Sequence, residues 1–157
     1  CWVLGRDELS IEYADEALAI DPYFPLPLRT KYAGLKHGKP EDAIDEVREA
    51  YEFYPNQPVF LQILFSLYWE SNAREKAFNC LVELLDKHHD TFQRAGFANI
   101  YFIMDRPEDA YRWLEKAIEH RESLVPHYAT YPSLKKFQSQ PRFRELYKKI
   151  NHPLYVD

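Results

Sequence analysis

The chain has 157 residues, a net charge of −5, two cysteines and four glycines. The mild negative charge argues against general nucleic-acid binding, which needs a basic stripe, and two cysteines are too few for a disulfide framework. No apolar run approaches the roughly 18 residues of a membrane-spanning helix, so no membrane contact is expected.

In chain order, Cys1-Trp2-Val3-Leu4-Gly5 reads as the end of a helix already under way. The expectation is therefore a fragment of a longer protein, cut inside a repeating unit. A helix is predicted from Asp7 to Ile20, with Ile11, Ala14, Ala17 and Leu18 forming an apolar stripe at helical spacing. Asp21-Pro22 ends it. A second unit opens near Phe24-Pro25, carries Leu28, Tyr32 and Leu35 on its first helix, and turns at His37-Gly38. Pro40 suits a helix first turn, where its missing N–H costs nothing, and Glu41 and Asp42 put negative charge at the positive end of the dipole. That second helix runs through Ala43, Val47 and Ala50 to Tyr54-Pro55.

The third unit contains the most apolar stretch, Phe60 to Trp69, whose density implies burial on more than one side. Asn72, Ala73, Arg74 and Glu75 resemble a capping box with Asn72 as the cap, followed by a helix with Ala77, Leu81, Leu84 and Leu85. The fourth unit places Phe92, Phe97, Ala98, Tyr101 and Phe102 on one helix, turns at Asp105-Arg106-Pro107, and carries Ala110, Leu114, Ala117 and Ile118 on the next. Beyond Glu122, Pro126, Pro132 and Pro141 break the pattern. A short helix from Ser133 to Gln138 and a terminal one from Pro141 to Ile150 are predicted, lying over the end of the last hairpin.

The units share their punctuation. Gly5, Gly38, Asn72 and Asp105 form one rung, Ser10, Ala43, Ala77 and Ala110 the next, and Ala17, Ala50, Leu84 and Ala117 a third, at a period of about 33 or 34 residues. These rungs, with Pro22 and Pro55 closing the first two units, resemble the tetratricopeptide repeat. Gly34 stands where that family has an aromatic, and Leu84 where it has a second Ala. The resemblance implies an all-α, right-handed superhelical solenoid of helical hairpins over residues 1–122, in units 1–22 (partial), 23–56, 57–89 and 90–122, with capping helices over 123–157. The stretch Tyr111 to Ala117, with Leu134-Lys135-Lys136-Phe137 and Pro141-Arg142-Phe143-Arg144-Glu145-Leu146, is similar to the closing segment of tetratricopeptide regions in bacterial signalling and transcription regulators. It implies a cytoplasmic, non-catalytic scaffold within a larger regulator.

In that family the first helix of each hairpin lines a concave face. Aligning the units puts Leu35, Trp69 and Phe102 in one column, Tyr32, Ser66 and Asn99 in a second, and Leu28, Gln62 and Ala95 in a third. The functional expectation is an apolar strip with polar groups at Gln62, Ser66 and Asn99 for a protein or peptide segment; the alternative is that Trp69 and Phe102 simply pack between hairpins. Self-association as a homodimer, or small-molecule sensing, are the competing functions. A basic clamp for a peptide carboxylate is not expected, because Leu28, Tyr32, Gln62 and Ser66 hold its positions. His88-His89-Asp90 reads as a polar helix end, since adjacent histidines diverge by about 100° on a helix. No phosphate loop, HExxH, GxSxG or CxxC is present in the sequence. No enzyme activity, cofactor, metal or direct nucleic-acid binding is expected.

Overall fold

The computed structural model describes residues 7–25, 27, 28, 40–131 and 134–155. Among these the chain is all-α. The helices are α1 (Asp7–Ile20), α2 (Pro40–Phe53), α3 (Val59–Glu70), α4 (Arg74–Lys87), α5 (Arg94–Ile103), α6 (Pro107–Glu119), α7 (Val125–Tyr128) and α8 (Pro141–Lys149). No helix among the described residues is long and apolar enough to cross a membrane. The predicted turn residues Gly5 and Gly38, and most of the first helix of the second unit, lie outside the described residues.

Two compact units divide the chain, residues 1–91 and 92–157. In the first, α3 packs against both α2 and α4. Its sequence explains why: Phe60, Leu61, Ile63, Leu64, Phe65, Leu67 and Tyr68 are buried around the whole helix circumference, so it needs a neighbour on each side. Ala43, Val47 and Ala50 on α2 and Ala77, Leu81 and Leu84 on α4 are buried too. The small side chains of Ala43, Ala50 and Ala77 let the helix axes come close.

In the second unit α5 packs on α6, and α7 touches both. Their core holds Phe102, Ala110, Tyr111, Leu114 and Ala117 together with Tyr128, Leu134, Phe137, Phe143, Leu146 and Tyr147 from the tail. The tail is therefore part of this core. Tyr147 donates its hydroxyl proton to the Val125 carbonyl at 3.0 Å, and Tyr111 donates to Gln140 Oε1 at 2.9 Å. Arg142 reaches Glu108 and Glu115 on α6, both at 3.0 Å.

The hairpin turns of the two units are built alike. Asn72 and Asp105 have φ of 60° and 58°. Around each, two backbone bonds close the preceding helix: Ala73 N–H to the Tyr68 carbonyl at 2.8 Å and Asn72 N–H to Trp69 at 3.2 Å, then Arg106 N–H to Tyr101 at 2.9 Å and Asp105 N–H to Phe102 at 3.1 Å. This is the Schellman arrangement, in which the residue after the helix turns left-handed and satisfies orphan carbonyls. Arg121 and Asn151 repeat it after α6 and α8.

Asn72 therefore ends α3 rather than capping α4. Ala73 is the residue before α4 and makes no side-chain cap. With three residues between the helices, the left-handed position claims the asparagine. Of the predicted short helix from Ser133 to Gln138, Ser133 lies outside the described residues, Leu134 is 3₁₀-helical and residues 135–139 form turns; α7 was not anticipated.

Candidate partner-binding surface

The nine residues of the expected strip fall into three groups. Tyr32 and Leu35 lie outside the described residues. Leu28, Gln62, Ala95, Asn99 and Phe102 are buried. Ser66 and Trp69 are partly exposed.

Phe102 shows what buries this group. Its ring centre lies 4.5 Å from Phe137, 5.3 Å from Tyr111 and 6.2 Å from Phe143. Phe137 and Phe143 come from the tail, so a segment of the same chain covers Phe102. Gln62 and Asn99 each keep a polar interaction inside, as buried amides must. Ser66 turns its hydroxyl to the Gln62 carbonyl of its own helix, 3.1 Å away.

Trp69 is held at the end of α3 by three neighbours. Phe65 stacks beneath it, with ring centres 5.6 Å apart and planes within 15°. Phe78 meets it edge-on at 6.1 Å. The Arg74 guanidinium carbon lies 3.7 Å from the indole centre, and Arg74 donates to the Trp69 carbonyl at 2.7 Å. A cation over an indole face and aromatic pairs of this geometry each add to simple apolar burial, so the indole is fixed before anything binds.

Phe78 and Val82 extend this surface along α4, at 44% and 53% exposure. They sit four residues apart on one face, offset from the buried stripe of Ala77, Leu81 and Leu84. The surface thus combines one braced indole, two exposed apolar side chains and a guanidinium with donors to spare. Arg74 was read only as part of a capping box, and Phe78 and Val82 were not singled out from the sequence. The signal was there in the i, i+4 pair Phe78 and Val82, but the rung pattern drew attention to the first helix of each hairpin.

Behind this surface, Tyr51, Glu83, Lys87 and His88 link α2 to α4. Tyr51 donates to Glu83 Oε1 at 3.1 Å, Lys87 donates to the same oxygen at 2.7 Å, and His88 Nε2 lies 3.4 Å from the Tyr51 hydroxyl. Burial, and then the hydrogen bond to Glu83, push the Tyr51 hydroxyl up to about 12. The Lys87 hydrogen bond holds Glu83 below the ordinary carboxylate range. Burial also drives the Cys80 thiol up to about 12, which removes its nucleophilicity at neutral pH. Among the described residues no group of three or more His, Cys, Asp or Glu side chains is placed to hold a metal ion. Comparison with protein-family models, with curated proteins and with solved structures gives no match for this chain.

Proposed function

We propose that this chain is a non-catalytic protein–protein interaction module, built of tetratricopeptide-like hairpins stacked as a right-handed superhelix and serving as one region of a larger bacterial regulator. It grips an extended or helical segment of a partner protein. Support for the repeat comes from the matching left-handed turns at Asn72 and Asp105 and from the burial of Ala77 and Ala110, Leu84 and Ala117 in the same phase after them.

The observation that carries the interaction reading is the braced Trp69 beside exposed Phe78 and Val82. A large ring already immobilised by Phe65 and Arg74 loses little side-chain entropy on binding, and such rings dominate peptide recognition. The test is to select peptides from a random displayed library against the whole chain and to measure their affinity for Trp69→Ala and Phe78→Ser. A loss of about tenfold or more is expected of a central aromatic anchor, with helical circular dichroism retained. Unchanged affinity in both variants rejects this surface.

A further inference from the structure

We propose that a second surface, the aromatic corner formed by Tyr23, Phe53 and Tyr54, docks a lysine- and arginine-rich segment of a partner protein. The assignment concerns a site separate from the Trp69 surface and does not depend on it.

The three rings come from the turn after α1 and the end of α2. Tyr23 stacks on Phe53 at 5.1 Å, Phe53 meets Tyr54 edge-on at 4.8 Å, and Tyr23 meets Tyr54 at 6.1 Å. Phe53 is nevertheless 64% exposed and Tyr54 38%. The cluster is thus pre-assembled and wet. Its ring spacings leave no room for a cation between rings, so a ligand meets their outer faces.

Charge decides what that ligand is. The stretch 7–54 holds twelve carboxylates and five basic side chains, a net of −7, while the rest of the chain nets +2. The whole negative excess of the protein therefore belongs to this stretch. Among its described residues the exposed carboxylates outnumber exposed cations eight to one. The single cation, Arg48, is already held by Asp45 at 2.9 Å. Glu49 accepts the Tyr23 hydroxyl proton at 3.0 Å, which ties the carboxylate to the rings, and Glu52 lies exposed beside Phe53 in the chain. No described cation pairs with Glu49 or Glu52.

Aromatic faces next to exposed carboxylates suit Lys and Arg side chains, whose stems cover the rings while the charged heads reach the acids. The same field repels nucleic acid and anionic lipid, leaving a basic protein segment as the occupant.

The test uses two labelled amphipathic 14-residue peptides with one leucine pattern, the polar positions all Lys or all Glu, read by fluorescence anisotropy with the full chain. The Lys peptide is expected to bind and the Glu peptide not. Phe53→Ser, Tyr54→Ser and the double change Glu49→Gln with Glu52→Gln should each weaken binding about tenfold. A double change removing two exposed carboxylates elsewhere, Glu119→Gln with Glu145→Gln, should change it less than twofold, as should Trp69→Ala. Because Phe53 is exposed and Glu49 and Glu52 change only in charge, these variants are expected to fold. Equal binding of both peptides, binding of neither, or equal weakening by the control pair would overturn the proposal. The last outcome would reduce the effect to net charge.

Discussion

Cys80 illustrates how burial sets chemistry at the scale of one residue. Its thiol lies inside α4 and is pushed from the ordinary value near 9 to about 12 by desolvation, with Glu83 adding to the effect. The folded protein therefore keeps this proton over a pH range in which the unfolded chain releases it. In that range the unfolded state binds fewer protons, so stability falls as pH rises through the ordinary thiol range toward 12. Below the ordinary range both states are protonated and the contribution is flat. In a Cys1→Ser background, a thiol reagent at mildly alkaline pH should leave the native protein unmodified and label it fully in denaturant. Denaturant melts between pH 8 and 11 should steepen in their loss of stability relative to Cys80→Ala; native-state labelling at the denatured rate would contradict this picture. At the same scale, what the sequence could announce about the strip was residue type and phase. Trp69 was read into the strip from its phase, and it is partly exposed. A packed Phe102 was the alternative reading, but its cover by the tail was not legible, because Phe137 and Phe143 lie more than thirty residues away and follow no repeat.

Helix ends carry the next level of the structure. Among the described residues four of them close on a non-glycine residue at positive φ, namely Asn72, Asp105, Arg121 and Asn151. Arg121 is the clearest case, because its long side chain gains nothing from the left-handed geometry and costs about 1 kcal/mol there. Arg121→Gly should therefore raise stability by about 0.5–1 kcal/mol and Arg121→Val lower it by a similar amount or more, measured by denaturant unfolding. The next residue serves a different helix. The Glu122 carboxylate accepts hydrogen bonds from Arg94 N–H at 3.0 Å and Ala95 N–H at 2.9 Å, and from the Arg94 guanidinium at 3.2 Å. It caps α5, whose own preceding residue Gln93 provides no side-chain cap. Glu122→Ala should cost about 1–2 kcal/mol, at the upper end of capping effects, because two backbone donors lose their partner. A change within error of zero would show that water replaces the carboxylate without loss. The regular helices were readable from periodicity, and α1 spans the predicted Asp7–Ile20. The capping of α5 was not, since the cap lies 27 and 28 residues downstream of the groups it serves. Nor was α7, because four residues cannot display a period. Leu134 and Phe137 anchor the tail with only two residues between them, enough for a turn and too few for a stable α-helix.

Across the whole molecule, two divisions of the chain lead to different forecasts. Repeat punctuation sets a boundary between 122 and 123, with the tail as an added cap. Contacts instead group 92–157 together, because Phe137, Phe143 and Tyr147 share one core with Phe102, Tyr111 and Leu114. Arg142 joins tail to hairpin at Glu108 and Glu115, and Lys136 does so at Asp105, 2.7 Å away. These pairs are largely exposed and contribute little each, so the aromatic core must supply most of the adhesion. A fragment of residues 92–157 is therefore expected to fold alone, with helical circular dichroism and a cooperative melt. Its size is marginal for independent folding, which makes the aromatic core decisive. A chain ending at Glu122 should melt well below the full one and bind a hydrophobic dye, because Phe102, Tyr111 and Leu114 lose their cover. High salt should lower the fragment's melting temperature only slightly, whereas Phe137→Ala should lower it strongly, because truncating a buried phenylalanine costs about 3–5 kcal/mol of stability. If the chain ending at Glu122 melted as the full one does, the tail would be a dispensable cap rather than half of a core. The boundary drawn from repeat punctuation would then be the physical one.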